Sequence, residues 1–317
     1  MASTREMRLR IKSVKNLAQV TKALETVSAS KVKKAVEANN ATRSYSEKAW
    51  KVLVHLACQP GSKSLHPLLA VRKKVRKTLV VIITSDRGLA GAYNVNIVRQ
   101  TLQHFQDYET PVVYVVVGRK GRELLVRQRA TIIADYADLP VPTSFMDVSS
   151  IGKLVVDDYR SEKVDEVYLA YTEYVNTLTQ EPVIRKLLPL IVESVDGGSS
   201  PANQKASSVF SYEPGQTEIL SEIVPRFTAL QVYQALLASQ ASENASRMNA
   251  MRNASDNARD LVQALEMDYN KIRQQVITSD MLDIVGGAVA QEDHHAANGI
   301  QGEDDPVGGR HYGTSNR

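Results

Sequence analysis

Proline and glycine are missing from long stretches at both ends of the chain. Neither residue occurs in positions 1–59, and neither occurs in positions 226–285. Because these two residues interrupt or end helices, their absence predicts a very long helix at each end. At about 1.5 Å rise per residue, each helix can extend to roughly 90 Å. A helix of that length needs a long surface to pack against, and the other terminal helix is the simplest candidate.

Cysteine, aromatic side chains and long apolar runs are also scarce. Cys58 is the single cysteine, which excludes a disulfide within the chain, and aromatic residues make up 6%. No run approaches the roughly eighteen apolar residues of a membrane span. The early charges Arg5, Arg8 and Arg10 are not followed by an apolar signal segment. We therefore expect a soluble or peripheral protein.

Charge is unevenly distributed along the chain. Residues 1–58 hold twelve Lys or Arg and four Glu, a net charge of +8, whereas residues 217–290 hold six basic and nine acidic residues, a net charge of −3. Opposite charge favours pairing of the two helices, and the basic excess favours an acidic partner. Nucleic acid is a second candidate partner for the basic helix, although aromatic residues for base stacking are nearly absent there.

Both terminal segments carry apolar stripes with steps of three and four residues. Such stripes predict a coiled coil, and the position of the helices at opposite ends of the chain predicts that they pair antiparallel. Pro225 is a place for a bend, and Gly286 and Gly287 are expected to stop the second helix. The first stripe consists of Met7, Ile11, Val14, Leu17, Val20, Leu24 and Val27. The second consists of Met248, Met251, Ser255, Ala258, Val262, Leu265, Tyr269, Ile272 and Val276.

The middle of the chain alternates short β-rich runs with helical runs. This alternation predicts an α/β domain with a mostly parallel sheet. The expected strands are 78–84, 111–117, 131–134 and 164–171, with a further extended piece at 182–191; the expected helices are 94–107, 120–127 and 149–160. The predicted organisation is an N-terminal helix over 1–60, a linker over 61–76, an α/β domain over 77–213, a C-terminal helix over 214–290 and a disordered polar tail over 291–317.

Two glycine turns follow predicted strands, TSDRGLAG at 84–91 and GRKG at 118–121. Neither has the spacing of a dinucleotide or Walker phosphate motif, so a tight turn is the favoured interpretation and a phosphate site stays open as a second one. The six histidines share no metal-ligand spacing with cysteine or carboxylates, and Cys58 lacks a nucleophile motif. We expect no catalytic, cofactor-binding or metal-binding residues.

Long hydrogen-bonding side chains interrupt the second stripe near its end, at Arg273, Gln274 and Gln275. They are either solvated surface or a charge-assisted contact to carboxylates of a partner.

Several segments together resemble the gamma subunit of F-type ATP synthases, and the likeness runs to about Ala290. They are residues 11–16, 21–25 and 27–31 in the first helix, SDRGLAG at 85–91 with Asn94, and residues 243–251, 256–258, 269–274, 277–278 and 283–288 in the second. The likeness includes the order of the domains. Ala90 stands where many relatives have cysteine, and the tail from Gln291 extends past the usual end of the family.

The resemblance implies a central rotor subunit without an active site or cofactor. Its terminal helices would form an antiparallel coiled coil inside a hexamer of alpha and beta subunits. Its Rossmann-like domain, without a nucleotide site, would stand on the c-subunit ring beside epsilon, one copy per complex. The chain has no cysteine pair for light-dependent control and no transit peptide, so a proton-translocating enzyme at the cytoplasmic side of a bacterial cell membrane is expected.

The resemblance also implies roles for seven residues. Arg273 and Gln274 match a pair that engages an acidic loop on beta, and Thr278 belongs to a neighbouring matching segment assigned to partner contact. Lys22 and Leu24 match the helix segment that faces a lever on beta. Tyr212 and Glu213 match a segment near the polar loops of the c ring.

Two functions of other classes compete with this one. The first is a nucleotide-dependent enzyme that uses the glycine turn after the first strand and oligomerises through its helices. The second is a coiled coil that binds nucleic acid, which tight, salt-sensitive RNA binding by residues 1–59 would support.

Overall fold

A computed structural model describes residues 4–57, 68–69, 72, 74–140, 143–190 and 216–299. Two long helices flank five strands and three shorter helices. The long helices are α1 (Thr4–Ala57) and α5 (Gln216–Gly299), and the shorter ones are α2 (Tyr93–His104), α3 (Arg119–Arg127) and α4 (Phe145–Arg160). The strands are β1 (Thr78–Ile83), β2 (Val112–Val117), β3 (Thr131–Tyr136), β4 (Glu166–Tyr174) and β5 (Gln180–Leu188).

The five strands form one sheet in the order β3-β2-β1-β4-β5. The first four are parallel, with Thr78 of β1 opposite Val112 of β2 on one side and opposite Glu166 of β4 on the other. Strand β5 runs antiparallel to β4 after a hairpin. The mostly parallel sheet expected from the alternating pattern is confirmed, and β1 is buried at every position because helices cover both faces.

The two faces of β1 belong to two hydrophobic clusters. Leu79, Val81 and Ile83 pack with apolar residues of α4 and α5, whereas Val80 and Ile82 pack with those of α2 and α3. Alternation of side chains along a strand produces this division. Helix α5 is therefore part of the core of the sheet domain, not an appendage to it.

Helix α4 begins at Phe145, four residues before the expected start at Ser149. Ser144 and Asp147 form a capping box, in which the Asp147 carboxylate accepts hydrogen bonds from the Ser144 hydroxyl and backbone N–H, both at 2.8 Å. The hydroxyl first, and then the backbone N–H, hold the pKa of Asp147 below its usual value. The cap adds a turn that the hydrophobic pattern did not reveal.

The chain divides into two compact units, Gln19–Asp256 and Met1–Ala18 with Asn257–Arg317. In the first unit α1 and α5 pair antiparallel, since the Ser46 hydroxyl donates to Gln234 at 2.9 Å and the rings of Trp50 and Phe227 lie 5.4 Å apart.

In the second unit the two helices are also antiparallel. Arg8 donates to the Tyr269 hydroxyl and Lys15 to the Glu266 carboxylate, both at 2.7 Å. The antiparallel coiled coil expected from the sequence is confirmed in both units.

The stripe on α5 is buried or half-buried as far as Ile272, with small residues at its centre, such as Ser255 and Ala258. Its last member, Val276, is exposed.

The prediction that the apolar stripe of α1 forms its packed face is partly wrong, because Leu17, Val20 and Val27 are exposed. The polar residues Thr21 and Ser28 are buried instead. Small side chains let two helices approach closely, so the packed face of α1 follows size as well as polarity.

Gly286 and Gly287 do not end α5, which continues to Gly299. Neither glycine adopts a positive φ, the conformation that ends helices at glycine. A glycine within a helix costs only about 1 kcal/mol relative to alanine, so the neighbouring helix formers carry the helix onward. The expected disorder from Gln291 is therefore corrected as far as Gly299, and residues 300–317 lie outside the described residues. None of the described helices is long and apolar enough to cross a membrane.

Candidate partner-binding residues and the carboxyl edge of the sheet

Lys22 and Leu24 lie in the middle part of α1. The Lys22 ammonium is half-exposed and lies 3.0 Å from Glu25 on the same helix, while Leu24 is half-buried. The Glu25 side chain is only 16% exposed, so Lys22 is the member of the pair that faces solvent. Lys22 is thus accessible to an acidic surface.

Arg273, Gln274 and Thr278 lie on α5 just beyond Ile272, the last half-buried member of its stripe. All three are exposed, and the Thr278 hydroxyl donates to the backbone oxygen of Gln274 at 2.9 Å. Every residue from 273 to 289 is exposed. Adjacent exposed apolar side chains recur along this stretch, as at Val276 with Ile277 and Met281 with Leu282. Exposed apolar patches mark surfaces that contact other proteins.

Tyr212 and Glu213, the segment expected near a c ring, lie outside the residues that the structure describes.

The first glycine turn, after β1, closes on the protein itself. The Asp86 carboxylate accepts hydrogen bonds from the backbone N–H of Arg119 at 3.1 Å and of Asp138 at 3.0 Å. The Thr84 hydroxyl accepts from the N–H of Gly121 at 3.0 Å. The first amides of a helix are where an α/β fold binds phosphate. Here Asp86 and Thr84 occupy those of α3.

Gly118 explains why the second turn needs glycine. Its φ is +102°, and a Cβ added there would lie 2.4 Å from the backbone oxygen of Thr84. The glycine lets the ends of β1 and β2 approach each other, which is a geometric requirement and not a phosphate-binding one. The interpretation of the second turn as a tight turn is therefore supported.

A polar cavity of about 350 Å³ lies at this carboxyl edge, between the sheet and the two long helices. Glu243 and Arg247 of α5 form an ion pair at 2.8 Å in it, and Lys31 of α1 and Asp86 also line it. Burial raises the pKa of Glu243, with Asp86 acting in the same direction and Arg247 and Lys31 against it. Sequence reasoning did not assign Glu243 or Arg247 a role, because helical spacing alone does not distinguish a buried pair from a surface pair.

No group of three or more His, Cys, Asp or Glu side chains suited to a metal ion occurs within the described part of the chain.

These features define a class of protein. It has an α/β sheet domain with one of two paired long helices in its core, and residues of the same chain make hydrogen bonds at the carboxyl edge of the sheet. A family model described as ATP synthase matches residues 3–290. The ATP synthase gamma chain of Dehalococcoides mccartyi (strain CBDB1) is 42% identical over 291 residues, covering 92% of this chain and 99% of that protein. That of Roseiflexus castenholzii is 40% identical over 293 residues, with the same coverage. The chain belongs to the ATP synthase gamma chain family.

Solved structures share the fold. The mitochondrial ATP synthase of Euglena gracilis, described as OSCP, F1 and c-ring, matches with a TM-score of 0.64 at 21% identity, over 96% of this chain and 98% of that one. A central stalk and c-ring structure of the Tetrahymena thermophila mitochondrial enzyme matches with a TM-score of 0.57 at 25% identity, over 74% and 99%.

Proposed function

We propose that this chain is the central-stalk rotor subunit of a proton-translocating ATP synthase and is not itself a catalyst. The observation that carries the proposal is the antiparallel helix pair with a narrow seam, in a chain of the gamma family, followed by a fully exposed stretch of α5. Structures of the same fold are described as central stalk or rotor. A rotor needs an outer surface for contacts with its partners, and the exposed stretch of α5 supplies one.

The proposed partners are the alpha and beta subunits, the epsilon subunit and the ring of c subunits. One copy of the chain per complex would lie peripherally at the cytoplasmic side of a bacterial cell membrane. Arg273 and Gln274 would hydrogen-bond an acidic loop on beta, with Thr278 one turn further along α5. Lys22 and Leu24 would contact a lever on beta, and Tyr212 and Glu213 would lie near the c ring.

The mechanism follows from the difference between the contacts that a rotor makes with each of three sites. Rotation of the c ring turns the chain, and each catalytic site on beta then meets a different face of it. A contact that is stronger with one conformation of beta shifts that site towards it, by as much as the two contact free energies differ. Sequential contacts would thus drive the three sites through their conformations in order.

A nucleotide-dependent enzyme is the weaker alternative. The turn after β1 lacks the spacing of a phosphate motif, and its Asp86 carboxylate accepts the backbone N–H groups of Arg119 and Asp138. A nucleic-acid-binding function is disfavoured because aromatic residues for stacking are nearly absent along α1, which has only Tyr45 and Trp50.

The test is reconstitution of the chain with the alpha and beta subunits of its own organism, scored by ATPase activity. We expect an active complex only when the chain is present. If the activity and the composition of the hexamer are the same with and without the chain, the proposal is rejected. Binding of ATP or RNA to the isolated chain would then favour one of the alternatives.

A further inference from the structure

One short segment of α5 supplies an unusual number of hydrogen bonds to the sheet domain. Between residues 239 and 249, six polar side chains reach loops and strand ends outside the helix; we refer to these six as the joint. They are Ser239, Gln240, Ser242, Ser246, Arg247 and Asn249.

The bonds of the joint all end at one edge of the sheet. The Ser239 hydroxyl lies 2.8 Å from that of Tyr93, which follows the turn after β1, and Gln240 donates to Thr143 after β3 at 2.6 Å. Arg247 donates at 3.2 Å to the backbone oxygens of residues 87 and 88, also after β1.

The other three members reach β4, β5 and the hairpin between them. Ser242 donates to the backbone oxygen of Thr172 at 3.1 Å, and Ser246 to the Gln180 side chain at 3.0 Å. Asn249 donates to the backbone oxygen of Thr177 at 2.7 Å. The carboxyl edge of a parallel sheet is where α/β proteins bind ligands, and here the edge binds a helix of the same chain.

The partners of Arg247 are themselves held to the sheet. Between β1 and α2, the Ser85 backbone N–H donates to Asn94 at 3.0 Å, and Asp86 is tied to the turns after β2 and β3. The turn that Arg247 contacts is therefore hydrogen-bonded to the turns after β2 and β3.

A matched pair on the same helix shows how the joint differs from ordinary surface. Glu222 and Arg226 have the same i,i+4 spacing and a distance of 2.7 Å, but their side chains are 66% and 76% exposed. Those of Glu243 and Arg247 are 17% and 14% exposed. Burying two charges is costly unless further hydrogen bonds satisfy them, and such pairs serve best to specify one geometry.

We propose that the joint transmits torque between the sheet domain and α5, with Arg247 as its principal positioning residue. This inference rests on the proposed rotor function. Apolar packing of α5 against the sheet supplies stability through a driving force that is not itself directional. Hydrogen bonds from a planar guanidinium to two carbonyl oxygens are directional, so they hold the rotational setting of the helix.

The test compares variants in the complete synthase, reconstituted into vesicles. The double variant Glu243→Gln, Arg247→Met removes the pair without leaving an unpaired buried charge. Arg247→Lys keeps the charge beside Glu243 but lacks the fork of donors. Arg226→Met is the matched control, because it removes an exposed arginine with the same helical spacing.

The readout is the number of protons pumped per ATP hydrolysed, together with the melting temperature of the complex. In the double variant we expect the ratio to fall about fivefold or more, the lower end of typical coupling between sites. Arg247→Lys should give an intermediate ratio and Arg226→Met the wild-type ratio, with no variant melting at a lower temperature than wild type.

A wild-type ratio in the double variant would contradict the role of the joint in transmitting torque, while leaving the proposed rotor function intact. A fall in ratio that merely follows a lower melting temperature, or failure of both Arg247 variants to assemble, assigns Arg247 a structural role and also contradicts the role of the joint. If the wild-type chain itself does not couple hydrolysis to pumping, the rotor function fails instead.

Discussion

At the scale of single residues, the chain uses charge and glycine at the carboxyl edge of its sheet for internal contacts. Asp86 accepts backbone amides there, and Arg247 donates to backbone carbonyls. Sequence reasoning preferred a tight turn at 84–91, because the glycine spacing lacks a phosphate motif. It missed the partners of that turn, since they lie 33, 52 and 160 residues away along the chain.

Glu243 should make stability depend on pH in an identifiable direction. Its folded pKa is raised above the ordinary value of 4.5, so the folded state holds the proton more readily than the unfolded state. The contribution of Glu243 to the free energy of unfolding is therefore complete below pH 4.5 and is lost as pH rises through the folded pKa. We expect Glu243→Gln to gain stability relative to wild type across that window.

Denaturant unfolding of both proteins from pH 4 to pH 8 measures this difference. Parallel curves, with no relative gain for the variant as pH rises, would contradict a raised pKa.

Gly118→Ala should destabilise the fold strongly. Its positive φ strains an alanine, and the new Cβ meets the Thr84 backbone oxygen, so a loss of about 2–5 kcal/mol in the free energy of unfolding is expected. Gly88→Ala is the matched control, because nothing lies within 4 Å of its added Cβ. Denaturant titration checks both, and equal stabilities of the two variants would show that the close approach is unimportant.

At the scale of elements, the periodic pattern predicted helices well and packed faces less well. The seam of α5 follows its predicted stripe as far as Ile272, because apolar and small residues coincide there. On α1 the apolar pattern predicted that Leu17 and Val20 are packed, whereas the buried side chain nearby is Thr21. Close helix packing selects small volume, which a hydrophobicity pattern does not measure.

Ala258→Trp should disrupt the helix pair, because Ala258 is 6% exposed within the seam. Overpacking typically costs about 1–3 kcal/mol, and an indole is much larger than a few methylene groups. Ala264→Trp serves as the control, since Ala264 is exposed on the same helix. We expect a lower melting temperature and impaired assembly with alpha and beta only for the first. A normal melting curve with normal assembly would refute the narrow seam.

At the scale of the whole molecule, function depends on surfaces that the chain leaves uncovered. The sequence placed Arg273 and Gln274 beside the seam, and both are exposed. Their contact with an acidic loop on beta stays a prediction, as do the contacts of Lys22, Leu24, Thr278, Tyr212 and Glu213.

Arg273→Ala should weaken coupling while the fold stays intact, because the side chain is exposed. Loss of one charge-assisted contact should lower ATP synthesis in reconstituted vesicles about tenfold. Arg252→Ala, which removes another exposed arginine of α5, should leave synthesis unchanged. Unchanged synthesis in Arg273→Ala would mean that this residue is ordinary surface.

The sequence by itself determined the order of elements, the parallel sheet and the antiparallel pairing of the ends. Those features depend on local propensity and on periodicity, which neighbouring residues carry. Only the tertiary structure decided that α5 passes through Gly286 and Gly287, that Thr21 is buried whereas Leu17 is exposed, and that Arg247 donates to the turn after β1. Each of these outcomes depends on which distant groups come within hydrogen-bonding or van der Waals distance, and no local pattern contains that information.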